Sequence, residues 1–301
     1  MKAYYSDIFG FPLPEDHRFP IRKYARLRKR LLSEHVLPDD ALRVPAGATD
    51  EQLLRVHTEE YLLRLVGGGV DAREMRRIGF PWSPELVERA RRSVGGSISA
   101  CRSALTEGVG VNLAGGTHHA HPSWGSGFCV FNDVAVSARD LLANGMTESI
   151  VILDCDVHQG DGTAAAFSQE PRVYTFSIHG AGNFPFRKTA GDLDVALPDG
   201  AGDDDYLNAL RQALARVFEE ASPTFAIYLA GADPYCNDAF GRLSLTKQGL
   251  MKRDELVLST CRQNGLLLAV VMAGGYAPDI DDIVDIHLET VRLSASYSPI
   301  I

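Results

Sequence analysis

The stretch Val151-Ile152-Leu153-Asp154-Cys155-Asp156-Val157-His158-Gln159-Gly160-Asp161-Gly162-Thr163 decides how the rest of the chain is read. The run from Ser149 to Leu153 is short, apolar and β-branched, the pattern of a strand buried on both faces. It leads straight into Asp-x-Asp-x-His and then Gly-Asp-Gly. In an open α/β sheet, ligands sit where such strands end. Alternation puts Asp154, Asp156 and His158 on one side if the extended chain continues. A carboxylate beside a neutral imidazole suits a zinc ion, and two protein ligands require a third. A plainer reading is an Asp- and Gly-rich turn, with Asp161 and Thr163 capping the next helix. Capping alone does not need the Asp-x-Asp-x-His ahead of it.

Working outward, strands and helices alternate. Strands are expected at Val109–Leu113, Val173–Ile178, Thr224–Leu229 and Leu266–Met272. Helices are expected from Pro84 toward Ala104, then at Asp133–Ala143, Tyr206–Ala221, Lys247–Arg262 and Asp279–Arg292. That order predicts a parallel sheet with helices on both faces. Gly95-Gly96 inside a helix costs roughly 1 kcal/mol per glycine relative to Ala, which points to close packing there. His179 to Asp204 reads as a long loop, and the Pro-containing first 20 residues as irregular. A helix opens at Thr49-Asp50-Glu51 and is expected to run to about Val66. With no repeat, low-complexity tract or Gly/Ser linker, residues 1–301 read as a single domain.

Several strand ends carry chemically competent groups. Thr117-His118-His119-Ala120-His121 follows the Val109 strand. Asp233 follows Ala230-Gly231-Ala232 and supplies the missing third metal ligand. Tyr276 follows Gly274-Gly275. Each has a plain explanation alone: loop histidines in a polar pocket, a turn aspartate before Pro234, a core tyrosine with a satisfied hydroxyl. Chance placement of all of them at strand ends on one edge is a poor joint explanation.

Composition limits the function classes. The 301 residues are 45% hydrophobic and 23% charged, ordinary for a globular protein. A formal net charge of −9 argues against nucleic-acid or anionic-membrane binding. Ile21 to Ser33 is a basic amphipathic helix, read as a solvated face given the acidic whole. The five cysteines are scattered without a Cys-x-x-Cys pair, against a disulfide framework or a zinc ribbon. Met1–Gly10 lacks the pattern of a secretory signal. Leu266–Ala273, the longest apolar run, is too short to span a bilayer. A cytoplasmic location is the expectation.

The motifs together resemble the histone deacetylase family, including its bacterial members that act on small acylated amines. The resemblance rests on Gly116-Thr117-His118-His119-Ala120, Gly127-Phe128-Cys129-Val130-Phe131-Asn132-Asp133, the Asp154–Thr163 stretch, Ala230-Gly231-Ala232-Asp233 and Gly274-Gly275-Tyr276. These stand in the family's order, and the similarity runs from Val56-His57-Thr58-Glu59-Glu60-Tyr61 to about Tyr276. It implies one α/β domain around a mostly parallel eight-stranded sheet of the arginase/deacetylase kind.

The resemblance also implies roles. Asp156, His158 and Asp233 match the ligands of one zinc ion, and His118 and His119 the tandem histidines, with His119 as general base and acid. Asp154 and Asp161 match the aspartates that orient those histidines, and Tyr276 the donor to the substrate carbonyl. Gly127, Phe128 and Phe184 match the acyl-lysine tunnel. Asp154 and Ser177 match a structural monovalent-cation site, usually potassium. The implied substrate is an acyl-lysine protein or peptide, or a small acylated amine. The sequence departs from the commonest pattern: no Arg-Pro precedes Gly116, Gln159 replaces a His, and Ala273 replaces a Gly. The loop Gly180–Phe186 also differs, and these features look nearer to the class IV-like branch and its bacterial relatives. Two other readings are a non-catalytic acyl-binding module and a two-metal ureohydrolase. The latter needs an Asp where this chain has Gly160.

Overall fold

The structure is a computed structural model describing residues 1–298, apart from the Asp39 side chain. Eight strands lie in one sheet. They are β1 Lys2–Tyr4, β2 Leu42–Arg43, β3 Val109–Asn112, β4 Ile150–Asp154, β5 Val173–Gly180, β6 Leu193–Leu197, β7 Phe225–Ala230 and β8 Leu267–Met272. Their order is β2-β1-β3-β8-β7-β4-β5-β6, and every pair is parallel. All strands therefore end on the same edge, so groups that follow different strands can meet there.

Strand β4 shows why the sheet is covered on both faces. Val151 and Leu153 join one core cluster, while Ile150 and Ile152 join another. The first cluster takes Leu27 and Leu31 from α1 (Lys23–Ser33), Leu210 and Leu214 from α8 (Asp203–Glu220), Val257 from α9 (Lys247–Gln263) and Val284 from α10 (Ile280–Tyr297). The second takes Cys101 and Ala104 from α5 (Pro84–Glu107) and Val134 and Leu141 from α6 (Asp133–Ala143). A Cβ at Gly95 of α5 would overlap the Ala46 carbonyl, so the glycine is needed for that approach. A third, aromatic-rich cluster gathers Phe11, Phe19, Tyr61, Phe80 and Phe131, with Phe128 and Tyr276 packed against it.

The expected parallel sheet and helical layers are present, with corrections. The first 20 residues are not wholly irregular, because Lys2–Tyr4 pairs with β3. The helix expected from Thr49 to Val66 is two: α2 Asp50–Leu53 and α3 Glu59–Val66. The chain breaks because the Thr58 amide donates to the Pro122 carbonyl while its hydroxyl caps α3 at the Tyr61 amide. The supposed loop His179–Asp204 contains the end of β5 and the whole of β6. Strand β6 is half-exposed and short, and only its pairing with β5 defines it. Helix α4, Ala72–Ile78, was not expected from the periodicity. Arg28 and Arg26 of α1 find acidic partners, Arg28 reaching Asp7 at 2.8 Å and Arg26 reaching Asp281 at 2.6 Å. Lys23, however, is not on a solvated face: it is buried and donates to the Ala273 and Gly275 carbonyls at 3.4 Å. No helix among the described residues is long and apolar enough to cross a membrane.

Candidate active site

The four adjacent strands β3, β8, β7 and β4 end around one depression. Strand β4 stops at Asp154, so the extended chain does not continue through His158. Asp154 instead turns to His118, its Oδ2 lying 2.6 Å from Nδ1, and accepts the Asp156 amide on Oδ1. Asp156 and His158 then converge with Asp233 from the loop after β7. One candidate ligand atom from each lies within 4.8 Å of the others, and all three residues are enclosed in the protein.

Backbone amides fix the carboxylates. Gly274 donates to Asp156 Oδ2 at 2.7 Å, and Val157 donates to Asp233 Oδ1 at 2.9 Å. A side chain at Gly274 would collide with Asp233, so glycine lets the β8 loop reach both carboxylates. Asp233 Oδ2 is buried and accepts no well-directed hydrogen bond, although His158 Nδ1 stands 3.2 Å away. Burial and the neighbouring Asp156 carboxylate push Asp233 up to about 7. Despite its burial, contacts with Asp156 and Asp233 hold the His158 imidazole up at about 10. Two buried carboxylates, one without a proper donor, make a site that a cation satisfies, so a divalent ion fits this donor set.

The tandem histidines sit in different surroundings. His118 is buried, which disfavours its charge, but Asp154 and Asp156 outweigh that and raise it to about 9. His119 is lowered to about 4 by burial and by the neighbouring His118. His119 Nδ1 lies 2.7 Å from Asp161 Oδ1, which leaves Nε2 without a partner among the described residues. His121 Nε2 reaches the other oxygen of Asp161 at 3.0 Å. Asp161 therefore does not cap the helix Asp161–Phe167 (α7), and its side chain is spent on two imidazoles. Thr163 is likewise no cap: its Oγ1 accepts from Asn132 Nδ2 at 3.1 Å.

Of these groups His119 and His158 reach a tunnel of about 330 Å³, lined also by Gly127, Phe128, Phe184 and Tyr276, among others, and the carboxylates lie behind them. Phe128 has φ of +64°, a strained conformation for a bulky residue. Its amide bonded to Ile78 O at 2.7 Å and the preceding Gly127 amide bonded to Arg77 O at 3.1 Å hold it there. Phe184 stands edge-on to His119, with ring centroids 4.8 Å apart. The Tyr276 amide donates to Asp238 Oδ2 at 2.6 Å. The Tyr276 hydroxyl has no partner among the described residues. Burial and the nearby Asp156 and Asp233 carboxylates keep it protonated by raising its pKa. The plain reading of a core tyrosine with a satisfied hydroxyl therefore fails.

Asp154 and Ser177 face each other across the β4–β5 pair and line a small cavity of about 10 Å³ with Thr175 and Asp194. The Ser177 hydroxyl also reaches His179 Nδ1 at 3.0 Å.

Other site residues escaped sequence reasoning. Asp238 fixes the Tyr276 loop and accepts the Phe240 and Gly241 amides. Asp133 holds the turn before the histidines, its Oδ1 accepting from the Thr117 amide at 2.7 Å. Arg253, fully buried on α9, donates to the Cys155 and Gly231 carbonyls beneath both ligand-bearing loops, and Asp254 balances it at 2.7 Å. Gln159 bridges to Thr189 and to Asp194 Oδ1 at 2.7 Å, and so ties down the Gly180–Asp194 segment. Of these, Asp133 and Gln159 lay inside quoted motifs, whereas Arg253 and Asp254 were unmarked residues of the helix expected at Lys247–Arg262.

The model for the histone deacetylase domain matches residues 17–291. An uncharacterized protein of Picosynechococcus sp. is 42% identical over 94% of this chain and 94% of its own length. Histone deacetylase 2 of Arabidopsis thaliana is 31% identical over 90% of this chain and 72% of its own. A probable deacetylase of Archaeoglobus fulgidus is 32% identical over 77% of this chain and 68% of its own. The crystal structure of an HDAC homologue complexed with SAHA superimposes with a TM-score of 0.87 at 26% identity, covering 98% of this chain and 84% of that one. The chain belongs to the histone deacetylase family and is an amide-hydrolysing deacetylase.

Proposed function

We propose that this deacetylase removes an acyl group, acetyl or longer, from acyl-lysine or a small acylated amine, using one zinc ion held by Asp156, His158 and Asp233. The observation that carries the reading is the convergence of those three side chains next to a tunnel lined by His158, His119 and Tyr276. A bound zinc ion supplies Lewis acidity, which activates water at neutral pH and polarises the amide carbonyl.

The chain's own groups do the rest. Phe128 and Phe184 flank the acyl-lysine arm and exclude water around it. His119, oriented through Nδ1 by Asp161, takes the proton of the attacking water on Nε2 and returns it to the departing amine. His118, paired with Asp154, supplies positive charge beside the reacting centre. Tyr276 donates to the carbonyl oxygen as negative charge grows there, a bond that favours the transition state over the ground state. Asp154 and Ser177, on one rung of the sheet beside a small polar cavity, are proposed to hold a structural potassium ion.

We place the protein in the cytoplasm. The absence of a membrane-spanning helix among the described residues and five unpaired cysteines support that location. The net charge of −9 supports a protein or small-amine substrate over direct nucleic-acid binding.

The test is direct. Metal content and turnover of an acetyl-lysine peptide are measured on the protein as purified, after chelation, and after restoring zinc. Turnover should vanish with the metal and return with it. Turnover that survives complete metal removal refutes the reading.

A further inference from the structure

The chain as a whole is acidic, with a formal charge of −9, yet the tunnel mouth has the opposite sign. The tunnel lining includes two arginines, Arg18 and Arg242, and no carboxylate. His119 is buried, whereas Arg18, Arg242 and Phe186 are exposed, so floor and mouth are at opposite ends. Arg242 pairs with Asp199 at 3.2 Å, with both side chains about half exposed. Arg18 has no ion pair among the described residues. Lys188 sits behind the tunnel wall, with Nζ donating to the carbonyls of Asn183 at 2.6 Å and Pro185 at 2.7 Å. It too lacks a carboxylate in ion-pair reach among the described residues. Of these three cations at or behind the mouth, only Arg242 has a carboxylate in ion-pair reach among the described residues, although Asp161 and Asp194 lie near enough to act on Lys188.

This arrangement meets whatever part of the substrate leaves the tunnel. With the scissile amide at the floor, the amine-bearing part passes between the aromatic walls and emerges beside Arg18. A guanidinium there fits a carboxylate with two parallel hydrogen bonds and repels an ammonium group. The screening length of about 8 Å at physiological salt limits the effect to groups near the mouth. We propose that Arg18, supported by Arg242 and Lys188, selects acylated amines that carry a carboxylate next to the acylated arm and rejects cationic acyl-polyamines. This inference rests on the deacylase reading above. The carboxylate has two possible sources, the α-carboxylate of a free acyl-amino acid or an acidic residue flanking an acyl-lysine in a peptide.

The experiment compares kcat/KM of the metal-loaded full chain on acetyl-lysine peptides of equal length flanked by Asp, Asn or Lys. Free Nε-acetyl-lysine, its C-terminal amide and N-acetylspermidine complete the panel. The expected order is Asp over Asn over Lys, about fivefold per step and carried mainly by KM, with acetylspermidine last. High salt should compress the series. Arg18→Glu should reverse it, and Arg18→Gln should flatten it. A gain confined to free acetyl-lysine over its amide identifies the α-carboxylate, and a gain confined to the flanked peptides identifies acidic proteins. Either gain supports the inference. Equal rates across the peptide series together with no gain of free acetyl-lysine over its amide, a Lys-flanked peptide ahead of the Asp-flanked one, or a uniform loss in Arg18→Glu overturns it while leaving the deacylase reading intact. Failure to turn over any member of the panel overturns both.

Discussion

The floor and the mouth of the tunnel are built by different rules. The floor stands on the ends of four adjacent parallel strands, and its polar groups are buried and tied to backbone amides or to one another. The mouth is made from loops, with Phe186 84% exposed and Arg18 and Arg242 in solvent. A buried cluster of charges holds its arrangement only if every member has a partner, so changing one member disturbs the others. An exposed rim has no such coupling. The floor therefore suits chemistry that must stay fixed, and the mouth suits discrimination between substrates.

The largest expected effect breaks the floor outright. Asp233→Ala removes one ligand and leaves Asp156 and His158 as a pair. Metal analysis should show the ion lost or much weaker, and turnover should fall by more than about 10³-fold, beyond the loss of a single oxyanion donor. Full metal occupancy in that variant would remove Asp233 from the ligand set. His119→Ala comes next. Turnover should drop by roughly 10²–10⁴-fold with the metal retained if His119 is the proton carrier proposed above. His118→Ala should do less damage if, as proposed, His118 supplies charge and not the shuttle. Near-normal rates in both variants would end the acid–base assignment.

Tyr276→Phe is a smaller break. It deletes one hydroxyl that has no partner among the described residues and leaves the Asp238 contact untouched, because Asp238 binds the backbone amide. A fall in kcat of roughly 10²-fold is expected, with a smaller change in KM and unaltered metal content and melting temperature. A variant that loses stability but keeps the parent kcat would reduce Tyr276 to a packing residue.

The same division explains what the sequence made legible. Asp156, His158, Asp233, the histidine pair and Tyr276 follow short apolar strands directly, so local pattern and position along the chain were enough to mark them. Helix α6 was read at its observed limits because Asn132 caps it and apolar periodicity runs its length. The supports of the floor were not legible. Arg253 lies 20 positions after Asp233 and reaches Cys155 and Gly231 only through tertiary packing. Nothing local separates Asp238 from any other loop aspartate until Tyr276 folds onto it. Strand β6 is a short segment whose identity comes from its partner, and Arg18 is one charge within the Pro-containing first 20 residues, with no local pattern to mark it. Long-range contacts decide each of these, and a linear pattern does not carry them.

The smallest effect tests whether the mouth is as uncoupled as its exposure implies. Phe186 meets Phe184 edge-on, with ring centroids 6.2 Å apart, and otherwise projects into solvent. Little apolar area is withdrawn from water there on folding, so Phe186→Ala should change stability by no more than about 0.5 kcal/mol. The ring still lines the tunnel, and on the proposed reading it would lose exposure when an acyl-lysine arm passes beside it. Removing it takes away ground-state and transition-state contact alike, because the arm does not move during the chemistry. Such uniform binding appears in KM and not in kcat. Phe186→Ala should therefore raise KM by about two- to fivefold with kcat and melting temperature near the parent values. Steady-state kinetics on one acyl-lysine peptide and a thermal melt are sufficient to check this. A drop in kcat approaching that of Tyr276→Phe would show that the mouth is mechanically coupled to the floor, and the separation drawn between them would fail.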